Sequence, residues 1–216
     1  MKKYKWLLFD LDGTLIYSHP GIFSCMRLAL QEMNEDINPT DAFLRQTVGP
    51  PLEYTFEYIF GMEKQRALEA TKAYRRHYAK TGVLQNELIP GALEMLVSLK
   101  NAGYILAMAT SKPQRFADQI ANRLDIAKYF TKIVGCGLDG ELPTKSDVVA
   151  EAIKRLGAEK DKTLMIGDRH HDHTGAVDNQ IDCALVDIGY AEEGEIERCA
   201  PTIAAKTIDE LLKNLL

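Results

Sequence analysis

A chain of 216 residues that is 46% hydrophobic and 26% charged has the apolar mass for a proper core and the length of one domain, or of one domain carrying an insertion. Its net charge of −5 excludes the clustered cationic surface with which proteins hold a nucleic-acid backbone. Four scattered cysteines (Cys25, Cys136, Cys183 and Cys199) form no CxxC and imply reduced thiols rather than a disulfide frame.

From the N-terminus, "YKWLLF" (Tyr4 to Phe9) is a short apolar run bounded by charge, which predicts a strand buried on both faces. Asp10 and Asp12 interrupt the apolar stretch too early for a signal peptide. No run approaches the roughly 20 apolar residues that span a bilayer. The expected location is the cytoplasm.

Nearly 90 residues then pass with nothing that reads as another buried strand, a span far beyond an ordinary connection. Inside it, "IFSCMRLALQEM" (Ile22 to Met33) and "EKQRALEATKAYRRHYAKTG" (Glu63 to Gly82) carry apolar residues at helical spacing. The basic cluster Lys72, Arg75 and Arg76 falls off the apolar stripe and reads as a solvated helix face. Residues 16–86 are therefore expected to form an inserted helical subdomain, with 1–15 and 87–216 forming the core.

The strand signature returns in "YILAMAT" (Tyr104 to Thr110), "KIVGC" (Lys132 to Cys136), "TLMIG" (Thr163 to Gly167) and "CALVDI" (Cys183 to Ile188). Between these runs lie helical patterns at Pro90 to Gly103, Pro113 to Leu124 and Lys145 to Gly157. Alternation of this kind predicts an α/β fold, a doubly wound, Rossmann-like parallel sheet.

Ligands of such sheets bind beyond the carboxyl ends of the strands, near the point where the winding reverses. The residues there are Asp10 and Asp12, Thr110 and Ser111, and Asp168 and Asp172, with Lys145 opening the helix after the Cys136 strand. Gathered carboxylates repel one another, and a hard cation such as Mg²⁺ offsets that repulsion. Hydroxyl and ammonium groups supply donors to anionic oxygens. Acids, metal and donors together describe a site for phosphoryl transfer. The bland alternative is that acids after strands are turn and cap residues.

As a set, these residues resemble the haloacid dehalogenase superfamily, and within it phosphatases similar to phosphoglycolate phosphatase. The motif DxDGT stands as Asp10-Leu11-Asp12-Gly13-Thr14, the hydroxyl motif as Thr110, the lysine motif as Lys145, and GDxxxD as Gly167, Asp168 and Asp172. The resemblance implies that Asp10 is a nucleophile forming an aspartyl-phosphate and that Asp12 is its acid and base. It implies Mg²⁺ held by Asp10, by the Asp12 carbonyl and by Asp168, with Asp172 in its first or second layer. It implies that Thr110 and Lys145 bind phosphoryl oxygens, Ser111 falling beside Thr110. The inserted segment corresponds to a helical cap. In it "TVGPPLEYTF" (Thr47 to Phe56) is similar to the family's cap, and Arg45 and Tyr54 are candidate substrate contacts.

"GDRHHDHTGA" (Gly167 to Ala176) departs from the pattern by carrying His170, His171 and His173, which admits a zinc reading beside the blander one that these positions tolerate many residues. The Gly-Asp-Arg form with His171 before Asp172 also resembles a 5′-nucleotidase-like bacterial branch. The expected function is Mg²⁺-dependent hydrolysis of a small phosphorylated metabolite, phosphoglycolate or a nucleoside 5′-monophosphate, by a monomer or homodimer that engages neither nucleic acid polymer nor membrane. The rivals are a phosphomutase of the β-phosphoglucomutase type and a non-catalytic binding protein of the same fold.

Overall fold

The computed structural model describes residues 3–138 and 140–216. The chain divides into two compact units, Met1–Tyr17 with Leu88–Leu216, and Ser18–Glu87.

The first unit is a six-stranded sheet with helices. Its strands are β1 (Trp6–Phe9), β4 (Ile105–Pro113), β5 (Lys132–Cys136), β6 (Thr163–Gly167), β7 (Asp182–Val186) and β8 (Ile203–Ala205). The remaining two, β2 (Ile16–Tyr17) and β3 (Glu87–Leu88), are two-residue segments that pair with each other. They lie in the interval after β1 in which the sequence shows no buried strand, and each is only two residues long, with Tyr17, Glu87 and Leu88 not fully buried. At two residues neither is long enough to make a run that would announce it.

The sheet order is β5-β4-β1-β6-β7-β8, and every pair is parallel. The winding runs outward from β1 to β5, returns, and runs outward the other way to β8. Its reversal point is therefore β1, whose Leu7, Leu8 and Phe9 are fully buried. Burial on both faces is the reason these strands read as unbroken apolar runs.

The helices of this unit are α5 (Ala92–Asn101), α6 (Gln114–Arg123), α7 (Lys145–Leu156), α8 (His170–Asp178), α9 (Glu195–Cys199) and α10 (Ile208–Leu215). Helix α7 starts at a capping box, where Thr144 accepts the Asp147 amide and Asp147 reaches back to the Thr144 amide. It ends at Gly157 in the left-handed conformation. Helix α10 buries Ile208, Leu211 and Leu215, a stripe at helical spacing.

The second unit holds α1 (His19–Glu32), α2 (Asp41–Arg45), α3 (Leu52–Tyr54) and α4 (Lys64–Lys80). Helix α3 runs directly into one π-helical turn, Thr55–Ile59. The α4 stripe of Ala67, Ala70, Tyr74 and Tyr78 is buried, as its spacing predicts. At Gly21 a Cβ would lie 2.3 Å from the Gly82 carbonyl, so α1 and the turn after α4 meet backbone to backbone. Glu32 ties α1 to α4 by accepting from Arg76 and His77. Among the described residues no helix is long and apolar enough to cross a membrane.

Candidate active site

At the end of β1 the Asp10 amide still donates to Ile166 of β6, at 2.9 Å. The chain then turns sharply, with the Leu11 carbonyl accepting the amides of Leu15 and Ile16 at 2.9 and 3.1 Å. Gly13 makes the turn at φ +81°, and a Cβ there would lie 2.3 Å from Asp168 Oδ2. In a straight strand Asp10 and Asp12 would share a face. The turn instead sends them to different cations. Asp10 Oδ1 lies 2.7 Å from Lys145 Nζ, whereas both oxygens of Asp12 take Lys112 Nζ, at 2.9 and 2.8 Å.

The end of β6 supplies the other acids. Asp168 is fully buried, and its Oδ2 accepts the Tyr190 amide at 2.6 Å while Oδ1 accepts the Thr14 hydroxyl at 3.3 Å. Asp172, one turn into α8, reaches back so that Oδ2 accepts the amides of Asp168 and Arg169, both at 3.1 Å. This satisfies donors that a helix start otherwise leaves open. Its Oδ1 lies 2.7 Å from Lys145 Nζ. Lys145, the first residue of α7, thus joins the nucleophile candidate on β1 to the cap of α8.

One carboxylate oxygen from each of Asp10, Asp168 and Asp172 falls within 4.8 Å of the others. Burial, followed by the negative charges of Asp172 and Asp12, pushes the Asp10 carboxyl up to about 6 against the opposing pull of Lys145. Burial and the carboxylates of Asp172 and Asp10 push Asp168 well above the usual carboxylate range. Burial works to lower Lys145, but Asp10 and Asp172 overcome it and hold the ammonium charged.

Three carboxylates, those of Asp168 and Asp172 buried and that of Asp10 half-buried, therefore gather where one ammonium, Lys145, meets two of them. The neighbouring Arg169 eases the charge on Asp168, but it is itself paired with Glu195, whose oxygens accept from its Nε at 2.9 and 3.1 Å. An excess of negative charge among oxygen donors is the environment that a hard divalent cation fits. The residues present suit Mg²⁺.

Of the expected phosphate ligands, Thr110 is buried with its hydroxyl accepting the Lys112 amide at 3.2 Å, and Ser111 is exposed. Arg45 ends α2 and Tyr54 ends α3, both in the second unit, where Tyr54 packs on Tyr58 with ring centroids 4.9 Å apart. The zinc reading of the histidines does not assemble. Among the described residues the ligand atoms that converge are those of the three aspartates, and His170 Nδ1 is instead bonded to Glu195 Oε1 at 2.7 Å.

Two residues escaped the sequence reading. Lys112 follows the hydroxyl motif by two positions. Glu195 gathers the Arg169 side chain, the His170 amide and the Glu192 amide.

The model of the haloacid dehalogenase-like hydrolase family matches residues 7–186. A 5′-nucleotidase of Pseudomonas aeruginosa is 36% identical over 200 residues, covering 93% of this chain and 90% of its own. The tyrosine-protein kinase PtkA of Mycobacterium tuberculosis is 37% identical, over 97% of this chain and 72% of its own. The crystal structure of a predicted phosphatase from Clostridium acetobutylicum superposes with a TM-score of 0.92 at 35% identity, covering 98% of this chain and 97% of that one.

Proposed function

We propose that this chain, a phosphatase belonging to the haloacid dehalogenase-like hydrolase family, cleaves small phosphomonoesters through an aspartyl-phosphate on Asp10. The observation that carries the reading is the separation of two neighbouring acids by their partners: Asp10 sits in the acidic cluster with Lys145, and Asp12 stands apart from that cluster with Lys112.

In the first half-reaction an Asp10 oxygen forms a bond to phosphorus while the ester P–O bond breaks. The electron pair leaves on the alcohol oxygen, and Asp12 supplies its proton. In the second, water attacks the aspartyl-phosphate, Asp12 takes the water's proton, and the Asp10 carboxylate departs as phosphate is released. Lys145 and Thr110 face the phosphoryl oxygens as donors. Mg²⁺ would be held by Asp10, Asp168 and the Asp12 carbonyl, with Asp172 orienting the set, and when bound it would neutralise the charge that gathers on the phosphoryl group. The inserted unit is read as the cap, with Arg45 and Tyr54 as its candidate substrate contacts.

The 36% identity to a 5′-nucleotidase makes a nucleoside 5′-monophosphate the first substrate class, with phosphoglycolate second. The test is a phosphate-release screen with Mg²⁺ across nucleotides, phosphoglycolate and sugar phosphates, comparing kcat/KM. Asp10→Asn is expected to lower turnover at least about 10⁴-fold while leaving the fold intact. Undiminished turnover in that variant would overturn the mechanism. The name of the mycobacterial relative brings a second reading, transfer to a tyrosine hydroxyl instead of water. Assay of phosphotyrosine against free phosphate separates the two.

A further inference from the structure

Strand β4 carries a device that the chemistry above leaves unused. Its pairing with β5 matches Thr110 to Gly135 and then Pro113 to Cys136, so Ser111 and Lys112 are extra on the β4 side. An insertion of this kind bends a strand and re-aims the side chain it carries.

Four contacts hold the bulge. The Lys112 amide donates to Thr110 Oγ1 at 3.2 Å, and the Cys136 thiol donates to the Ser111 carbonyl at 2.9 Å. The Gln114 side chain donates to the Ile133 carbonyl at 3.1 Å and accepts the Gly135 amide at 2.8 Å. Gly135 has no room for a side chain, since a Cβ would stand 2.5 Å from the Lys112 carbonyl. Out of this frame the Lys112 side chain, only 6% exposed, ends between the two oxygens of Asp12.

We propose that Lys112 is a positioning residue for Asp12, delivered by the β4 bulge so that one ammonium touching both carboxylate oxygens holds the carboxyl group at the place where Asp12 receives the proton of the attacking water. This rests on the reading of Asp12 as acid and base. Two nearly equal contacts to one ammonium hold the carboxyl group as a whole at one place, and positional error at a proton-transfer group is expensive in rate.

The experiment is stopped-flow hydrolysis of p-nitrophenyl phosphate with Mg²⁺ by the whole chain, measuring the ratio of the burst rate to the steady-state rate. The leaving group of this ester departs as a stable anion, so Asp12 bears chiefly on the second half-reaction. Asp12→Asn is expected to raise the ratio about 10²-fold, and Lys112→Met about 10-fold with little change in KM. Lys112→Arg, which retains the cation, should restore most of the steady-state rate. The double variant should be no slower than Asp12→Asn alone, because the lysine acts through the aspartate. Lys112→Met slowing both phases alike, or adding its loss to that of Asp12→Asn, would overturn the proposal. Asp12→Asn that leaves the ratio unchanged would instead remove the acid–base reading on which it rests, while a raised ratio there with wild-type behaviour in Lys112→Met removes Lys112 alone.

Discussion

The two flanks of β1 face one problem, a carboxylate at the end of a buried strand, and they answer it differently. On the β6 flank the acids outnumber the cations, and the backbone is pinned around them by the amides of Tyr190, Asp168 and Arg169. On the β4 flank Asp12 has its own lysine, charge is balanced, and shape comes from a strand bulge. The difference teaches that electrostatic deficit and geometric control are built separately here. One flank gathers unbalanced negative charge, and the other holds its acid in a paired contact.

The largest effect that tests this contrast belongs to Lys145→Met. It leaves the β6 cluster without its ammonium and should destabilise the metal-free protein by about 3–5 kcal/mol in urea denaturation. Mg²⁺ should then recover more stability in the variant than in the wild type. Unchanged stability without metal would mean that the acids are already neutralised and that the deficit is not there.

Gly135→Ala acts on the other flank. Its new methyl meets backbone, so the bulge must shift, at about 1–3 kcal/mol. The gain in stability on adding Mg²⁺, read as a shift in Tm, should match that of the wild type. A blunted shift would show the flanks to be coupled.

The smallest effect is expected for Glu195→Gln. Burial pushes the Glu195 carboxyl up, but hydrogen bonds from the Glu192 amide, Arg169 and His170 outweigh it and hold it at about 2, below its ordinary 4.5. A depressed folded-state value stabilises above the ordinary pKa and ceases to do so as pH falls through the folded one. The Tm difference between wild type and Glu195→Gln, roughly 2–6 °C at pH 7, should therefore hold down to about pH 4.5 and shrink towards pH 2. A difference independent of pH would assign the effect to packing.

The sheet core was legible because parallel strands buried on both faces leave short apolar runs with polar ends. "KIVGC" and "TLMIG" match β5 and β6 residue for residue. Reading the strand ends then gathers Asp10, Asp168, Asp172 and Lys145, which the fold brings together. Strand β8 escaped for the complementary reason: three residues at an edge, partly exposed, make no apolar run. Lys112 escaped because its aim depends on a bulge, and a bulge is a mismatch between two strands rather than a property of either. Glu195 lies 26 residues beyond Arg169 and meets it only in three dimensions.

The central place of β1 has a consequence for the order in which the molecule can be made. Trp6 pairs with Ile105 on one side and Thr163 on the other, partners 99 and 157 residues away in the chain. Contacts of such separation are slow to close, and a ribosome finishes the neighbours of β1 long after β1 itself. Strand β1 must wait, apolar and open on one edge, for its β6 partner. A nascent chain that stops short of β6 lacks Asp168 and Asp172 and cannot bury Leu7 and Leu8 between two neighbours. Catalytic competence therefore arrives late in synthesis, and a truncated product is a candidate for chaperones and not for substrate.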